Sequence, residues 1–219
     1  MGTPGGTERE AVYPVRIEGE LEPNLSRWLW LVKWLLLIPH FIALIGLLIA
    51  FVVVTIIAFF AILFTERYPR GLFDFNVGVL RWGWRVAWYG YGGLATDRYP
   101  PFTIADVDYP ARLDVQFPER LSRGLVLVEW WLLAIPHYLV LAFFHRSRLV
   151  VVRALRARAG YGPGLIGLLV LFTGVALLFR GFYPQSLYRL IFGMDSWVAR
   201  VIAYATLMRD EYPPFRLGP

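Results

Sequence analysis

Long runs of apolar residues dominate the pattern along the chain, and the longest extends from Trp28 to Phe64. Its 37 residues greatly exceed the roughly 20 that cross a bilayer as a helix. The favoured interpretation is an interfacial helix over 28–38, a bend at Pro39 and one crossing over about 41–64. The alternative is a hairpin of two short crossings that turns near Gly46.

Shorter segments around this run predict further elements. Val15–Leu21 alternates apolar and charged residues, and this period of two is typical of a half-buried strand. Leu72–Leu94 mixes apolar bulk with charge and tryptophan, which predicts either a second crossing or an amphipathic interfacial helix. Leu165–Phe179 predicts a short apolar helix. Residues 1–10 are Gly-rich and polar and predict a disordered tail.

The chain repeats itself, and the matching motifs occur in the same order in both copies. The matches pair Tyr13-Pro14 with Tyr109-Pro110, Leu25-Ser26-Arg27 with Leu121-Ser122-Arg123, Ile38-Pro39-His40 with Ile135-Pro136-His137, Tyr68-Pro69 with Tyr183-Pro184, Trp82 and Arg85 with Trp197 and Arg200, and Tyr99-Pro100-Pro101-Phe102 with Tyr212-Pro213-Pro214-Phe215. We therefore predict one membrane repeat over 11–105 and a second over 106–219.

The second copy carries an insertion over about 145–164 that is rich in arginine. Its arginines are Arg146, Arg148, Arg153, Arg156 and Arg158. Such charges avoid hydrocarbon, so we expect a basic surface segment, which the positive-inside rule places in the cytoplasm. If both copies share one topology, the insertion favours the hairpin interpretation of the first copy.

The strand-like segments at Val15–Leu21 and Ala111–Phe117 have matched patterns, so pairing with each other is the simplest prediction. Both would then lie on one side of the membrane, and the repeats would run parallel about an axis along the membrane normal. The predicted fold is an all-α integral membrane protein with a small β element. It has two parallel structural repeats and about four crossings, together with interfacial amphipathic helices.

Composition agrees with a membrane protein. The 219 residues are 58% hydrophobic and 17% charged, and the mean hydropathy is +0.53. Soluble domains are typically about 45–50% apolar and about 25% charged. The absence of cysteine from the sequence excludes disulfides, thiolate metal sites and cysteine nucleophiles. The net charge of +6 favours contact with anionic lipid headgroups over contact with nucleic acid.

The motifs of the two copies resemble a bacterial membrane-protein family known only as a domain of unknown function, number four-three-eight-nine. The resemblance extends over nearly all of 13–217, and Tyr68–Asp74 is a specific run within it. The second copy departs from this pattern over Tyr183–Arg189. The resemblance implies a membrane protein with a duplicated unit, and it implies no activity, substrate or catalytic residue.

His40 and His137 are the candidate residues for redox or metal chemistry. Both follow an Ile-Pro pair, so symmetry could bring two imidazoles together as ligands of haem or a metal. The simpler interpretation is that each histidine begins a helix and hydrogen-bonds a neighbouring group. We predict no cofactor and no metal.

The repeated Trp/Arg pairs are candidates for lipid contact at the membrane interface. Trp82 and Arg85, like Trp197 and Arg200, lie three residues apart and share a helix face. A guanidinium beside an indole can hold a lipid phosphate. The alternative is that the arginines snorkel while the tryptophans belong to an ordinary aromatic belt.

Charge differences between the copies predict ion pairs between them. Lys33 in the first copy matches Glu129 in the second, and Asp74 matches Arg189. Residues near a two-fold axis meet their own equivalents, so opposite charges there would attract. We expect Lys33–Glu129, Asp74–Arg189 or both to bridge the halves; independent surface drift is the alternative.

Sequence motifs for phosphate loops, serine triads and zinc proteases are missing. We therefore expect a non-enzymatic scaffold or accessory subunit in the plasma membrane, with several crossings. Its expected partners are anionic lipids and either other membrane subunits or further copies of itself. The alternatives are a transporter or lipid-translocating protein that uses the cleft between the repeats, and a haem- or quinone-linked redox subunit.

Overall fold

The computed structural model describes residues 13–128, 132–139 and 164–215. Within them the protein is mostly helical and contains one two-stranded sheet. The elements are β1 (Val15–Gly19), a 3-10 turn (Leu29–Leu31), α1 (Lys33–Leu36), α2 (Ile38–Thr65), α3 (Arg70–Tyr89), β2 (Ala111–Val115), α4 (Arg123–Val128), α5 (Leu165–Arg180) and α6 (Gln185–Ala205). Most of the arginine-rich insertion falls outside the described residues.

The long apolar run of the first copy breaks before Pro39 and then continues as one helix, as the favoured interpretation predicts for its local structure. Short turns over 29–36 precede the bend, and Pro39 occupies the first turn of α2, where its missing N–H costs nothing. α2 then continues for 28 residues without a break at Gly46, which excludes the hairpin alternative. It ends at Thr65, and the next residue, Glu66, has a left-handed backbone with a φ of 59°.

α2 is the one helix among the described residues that is long and apolar enough to cross a membrane. α5 is apolar too, but its 16 residues fall short of the roughly 20 that a bilayer requires. α3 and α6 are amphipathic and largely buried, rather than apolar on all sides. The expectation of about four crossings is therefore not supported by the described part of the chain.

The two predicted strands do pair with each other, and they run antiparallel. Each is shorter than the sequence pattern suggested and ends two residues earlier, at Gly19 and at Val115. The register places Ile17 opposite Leu113, at the centre of the ribbon. These two residues are equivalents in the repeat, so the pseudo-two-fold axis that relates the copies passes between them.

The copies exchange contacts across this axis. α3 of the first copy packs on β2, and α6 of the second copy packs on β1. Arg123 of the second copy forms an ion pair with Glu66, Nε to Oε1 3.1 Å, at the turn that follows α2. Arg27 of the first copy lies against Gly181, the equivalent turn residue after α5, where φ is 72°. Each Leu-Ser-Arg motif therefore holds the helical turn of the other copy.

α3 is the central helix of the first copy and is covered on three sides. Asn76 faces α2 and donates from Nδ2 to Thr55 Oγ1 at 3.1 Å. Arg81 and Trp84 face the sheet, where they donate to the carbonyls of Leu113 and Glu18 at 2.9 and 3.1 Å. The third side packs against the extended segment that follows α3, which contains the first Tyr-Pro-Pro-Phe motif.

Candidate functional site

The first candidate site is an aromatic cluster around His40, at the start of α2. Its imidazole is fully buried and stacks on the ring of Phe102, with centroids 3.8 Å apart and planes 11° apart. Trp82 from α3 meets it edge-on, and Tyr99 packs at 5.0 Å. Three separate repeat motifs thus converge on one side chain, which holds the Tyr-Pro-Pro-Phe segment against two helices.

The second copy builds the same cluster around His137. This imidazole is also fully buried and stacks on Phe215 at 4.4 Å and on Trp197 at 5.4 Å. Tyr212 packs against it at 4.7 Å. The duplication therefore preserves a three-dimensional arrangement as well as a set of sequence motifs.

One ring nitrogen of each histidine lies at hydrogen-bonding distance from the protein's own groups. Trp82 donates from Nε1 to Nδ1 of His40 at 3.0 Å, so the proton of His40 lies on Nε2. In the second cluster, Nε2 of His137 lies 3.1 Å from the carbonyl oxygen of Pro213. Both imidazoles are fully buried, so iron could reach either of them only after the neighbours packed around it moved away. Each histidine lies in its own cluster, where it packs the Tyr-Pro-Pro-Phe segment of its copy against the helices.

A buried ion pair adjoins the first cluster. Lys33 has a side chain only 2% exposed, and its Nζ lies 3.0 Å from Oδ1 of Asp97. The ammonium also donates to the carbonyl of Thr96 at 2.7 Å and lies 4.5 Å from the ring centroid of Tyr89. Burial lowers the pKa of Lys33, while the charge of Asp97 opposes that shift. Lys33 therefore pairs within its own copy, and Glu129 lies outside the described residues.

Asp97 also accepts a hydrogen bond from the backbone N–H of Ser26, and Asp210 does the same for Ser122 in the second copy. Asp210, however, has an unpartnered buried oxygen, Oδ1. Burial raises the pKa of the Asp210 carboxyl, against the effect of the Ser122 N–H. Both copies therefore place a carboxylate at this position, and in the first copy its partner is Lys33.

The tryptophans and arginines predicted to contact lipid are buried instead. Arg85 donates to the carbonyl of Ala105, and the Arg200 guanidinium lies 5.7 Å from the ring centroid of Tyr13. Trp82 and Trp197 belong to the histidine clusters. A lipid headgroup would have to displace protein segments to reach any of the four.

The remaining charged candidates are the predicted Asp74–Arg189 pair and the arginines of the insertion. Asp74 pairs with Arg70 on the surface of α3 at 3.7 Å, and the described residues hold no ion pair between Asp74 and Arg189. The predicted bridge at that position is thus replaced by a contact within one helix. The remaining basic candidates lie outside the described residues: Arg146, Arg148, Arg153, Arg156 and Arg158.

A family model described as a domain of unknown function, DUF4389, matches residues 27–103 and 163–216. The chain belongs to the DUF4389 family. The two matched segments fall in different copies, as expected for a duplicated unit, and this confirms the resemblance based on the motifs. The first segment contains every residue of the His40 cluster. No curated protein and no solved structure is detectably similar to the chain.

Sequence reasoning missed two features of this DUF4389 chain. The first is the use of Phe102 and Phe215 as stacking platforms for the histidines, although the repeated Tyr-Pro-Pro-Phe motif was the available signal. The second is Asp195, which is buried on α6 and has an unpartnered Oδ2. Burial raises the pKa of the Asp195 carboxyl well above its usual value. Its counterpart in the first copy is Leu80, so aligning the two copies would have shown an aspartate at a position where the first copy has leucine.

Proposed function

We propose that the protein is a non-enzymatic membrane scaffold or accessory subunit, which binds lipids and packs with other membrane subunits or with copies of itself. The observation that carries this proposal is the exposed apolar surface of α2. Only 17% of its most apolar 18-residue window is buried inside the protein. Water is a poor solvent for so large an apolar surface, whereas acyl chains or another apolar protein surface would cover it.

The engagement of reactive side chains supports a structural role. His40, His137 and Lys33 are buried, and they bind the protein's own carbonyl, indole or carboxylate groups. The described residues hold no group of three or more histidines, cysteines or acidic residues that could bind a metal ion. These contacts tie the two halves of each copy together, as a rigid scaffold requires.

A groove between the copies supports lipid handling as a second candidate function. Its volume is about 410 Å³, and it lies between the start of α5 and the pair formed by α2 and α3. The first copy contributes Phe41, Leu44 and Val86, and the second contributes Ile166 and Gly167. Such an apolar lining suits an acyl chain rather than an ion, which favours lipid translocation over ion transport.

Membrane association is the first test of this proposal. The full chain, purified in mild detergent, is reconstituted into vesicles of phosphatidylethanolamine and phosphatidylglycerol and floated on a density gradient. We expect it to float with the vesicles and to resist extraction by alkaline carbonate. Release by carbonate, or a monodisperse protein without detergent, would overturn the proposal. Scrambling of a labelled lipid by the same vesicles would favour the second candidate.

A further inference from the structure

We infer that α2 lies along the membrane surface, with its exposed face among the acyl chains of one leaflet, rather than across the bilayer. This inference rests on the proposed membrane function and specifies how the protein meets the lipid. Length and composition alone suit both orientations, because they describe α2 without its neighbours. The neighbours of α2 distinguish the two.

The exposed face of α2 is apolar along its whole length. No charged residue occurs between Ile38 and Thr65, and the ends of the helix are as exposed as its middle. The large exposed side chains are Ile38, Phe41, Ile42, Ile45, Leu48, Ile49, Val52, Val53, Ile56, Ile57, Phe60 and Phe64. This continuous stripe would suit lipid in either orientation.

α3 runs antiparallel beside α2, so contacts between the two helices show which residues lie at the same level. Near one end, a Cβ built on Gly90 would lie 2.5 Å from Cδ1 of Leu37, so the two chains are in close contact. Nearer the other end, Asn76 bonds to Thr55 at 3.1 Å. Each position on α3 therefore has a neighbouring level on α2.

Two exposed carboxylates lie beside α2, one level with its C-terminal third and one level with its middle. Asp74 precedes Asn76 by two residues on α3, and its side chain is 60% exposed. Arg81 follows Asn76 by five residues and binds Asp114 of β2 at 2.6 Å, and the Asp114 side chain is 65% exposed. Any stretch of about 20 residues of α2 that crossed the hydrocarbon would include its middle. It would carry the Asp114 carboxylate into the hydrocarbon and bring the Asp74 carboxylate at least to its edge.

Burying those carboxylates in lipid would be costly. A single aspartate at the centre of a membrane helix costs about 2.5–3.5 kcal/mol on insertion scales. The two-stranded sheet would add its unpaired edge groups, and open sheet edges do not occur facing lipid within the hydrocarbon. With α2 in the plane of the membrane, the same carboxylates and edges face water or headgroups.

Depth measurement by spin labelling tests the orientation directly, and a sequence without cysteine makes single labels straightforward. Four exposed positions share the lipid face of α2: Ile42, Ile49, Ile56 and Phe64. Each is replaced by Cys in the full chain and labelled in vesicles, and its accessibility to oxygen is compared with that to a water-soluble nickel chelate. Asp74→Cys is the matched probe on the polar side.

The in-plane orientation predicts similar depths for all four labels, within about 5–10 Å below the headgroups, and a water-accessible label at Asp74. A spanning helix predicts depths that change by about 1.5 Å per residue, with maximal depth near Ile49 and Ile56. Shallow ends with a deep middle would overturn the inference, and so would a protected Asp74 label. Failure of the labelled protein to float with vesicles would instead overturn the proposed membrane function.

Discussion

Ile17 lies directly opposite Leu113 in the antiparallel ribbon, and each of these residues is the repeat equivalent of the other. Only a pair on the symmetry axis can have this property. The ribbon therefore joins the two copies at their axis, and the helices α3 and α6 each pack on the strand of the other copy. Separating the copies would expose the inner faces of both strands, so we regard the two repeats as one folding unit.

The Lys33–Asp97 pair predicts a large loss of stability on neutralising the acid alone. Asp97→Asn leaves the ammonium buried without its ion-pair partner, and breaking such a buried pair costs about 3–5 kcal/mol. The double variant Lys33→Met with Asp97→Asn removes both charges and should recover most of that loss. Unfolding in mild detergent measures both, and equal losses in the single and double variants would contradict the assignment.

Asp210→Asn is the matched change in the second copy, and we expect it to leave the free energy of unfolding within about 1 kcal/mol of the original or to raise it. The amide oxygen still accepts from the N–H of Ser122, while the cost of a buried charge with an unpartnered oxygen disappears. The same unfolding assay compares it with Asp97→Asn. A loss as large as that of the first-copy variant would show that Asp210 has a cationic partner.

Asp195→Leu should raise stability at neutral pH, because it places the residue of the first copy, Leu80, at the equivalent buried position. Burial raises the pKa of Asp195, so the folded protein retains a proton that the unfolded chain has lost. The stability that protonated Asp195 contributes to the folded protein is therefore fully present below the pKa of the unfolded chain. It is lost as the pH rises through the pKa of the folded protein.

The measurement for Asp195→Leu is the unfolding temperature from acid to neutral pH. We expect the variant to lose the part of the pH dependence that Asp195 causes. Asp74→Asn serves as the control, because that carboxylate is exposed and pairs only on the helix surface. An unchanged pH profile in Asp195→Leu would contradict the prediction.

His40→Phe should preserve the stacking on Phe102 but leave the Trp82 N–H without its acceptor. An unsatisfied buried donor costs about 1–3 kcal/mol, so we expect a loss of that size in the unfolding assay. His40→Ala should lose more, since it also removes the stacked ring. The absorbance spectrum of the purified protein provides a separate check, and a Soret band would contradict a purely structural role for the histidines.

Several features of the fold followed from sequence patterns because they are local or repeated. The unbroken helix over 38–65 follows from 28 residues with proline only in the first turn, and the strands follow from their period-two alternation. Pairing between the strands followed from the duplication, because two matched half-buried strands can hydrogen-bond the backbone N–H and C=O groups along each other's edge. The partner of Lys33 did not follow, because Asp97 lies 64 residues away and its nearness depends on the packing of α1 against the segment after α3.

By itself the sequence determined the duplication, the apolar character of α2 and the set of motifs that each copy carries, since all of these are properties of residue order and type. Tertiary structure decided which side of each element is buried in the protein and which side is exposed. It turned the Trp/Arg pairs inward and placed exposed charged groups beside α2. The physical reason is that exposure and depth depend on neighbours distant in sequence, which no periodicity within one segment records.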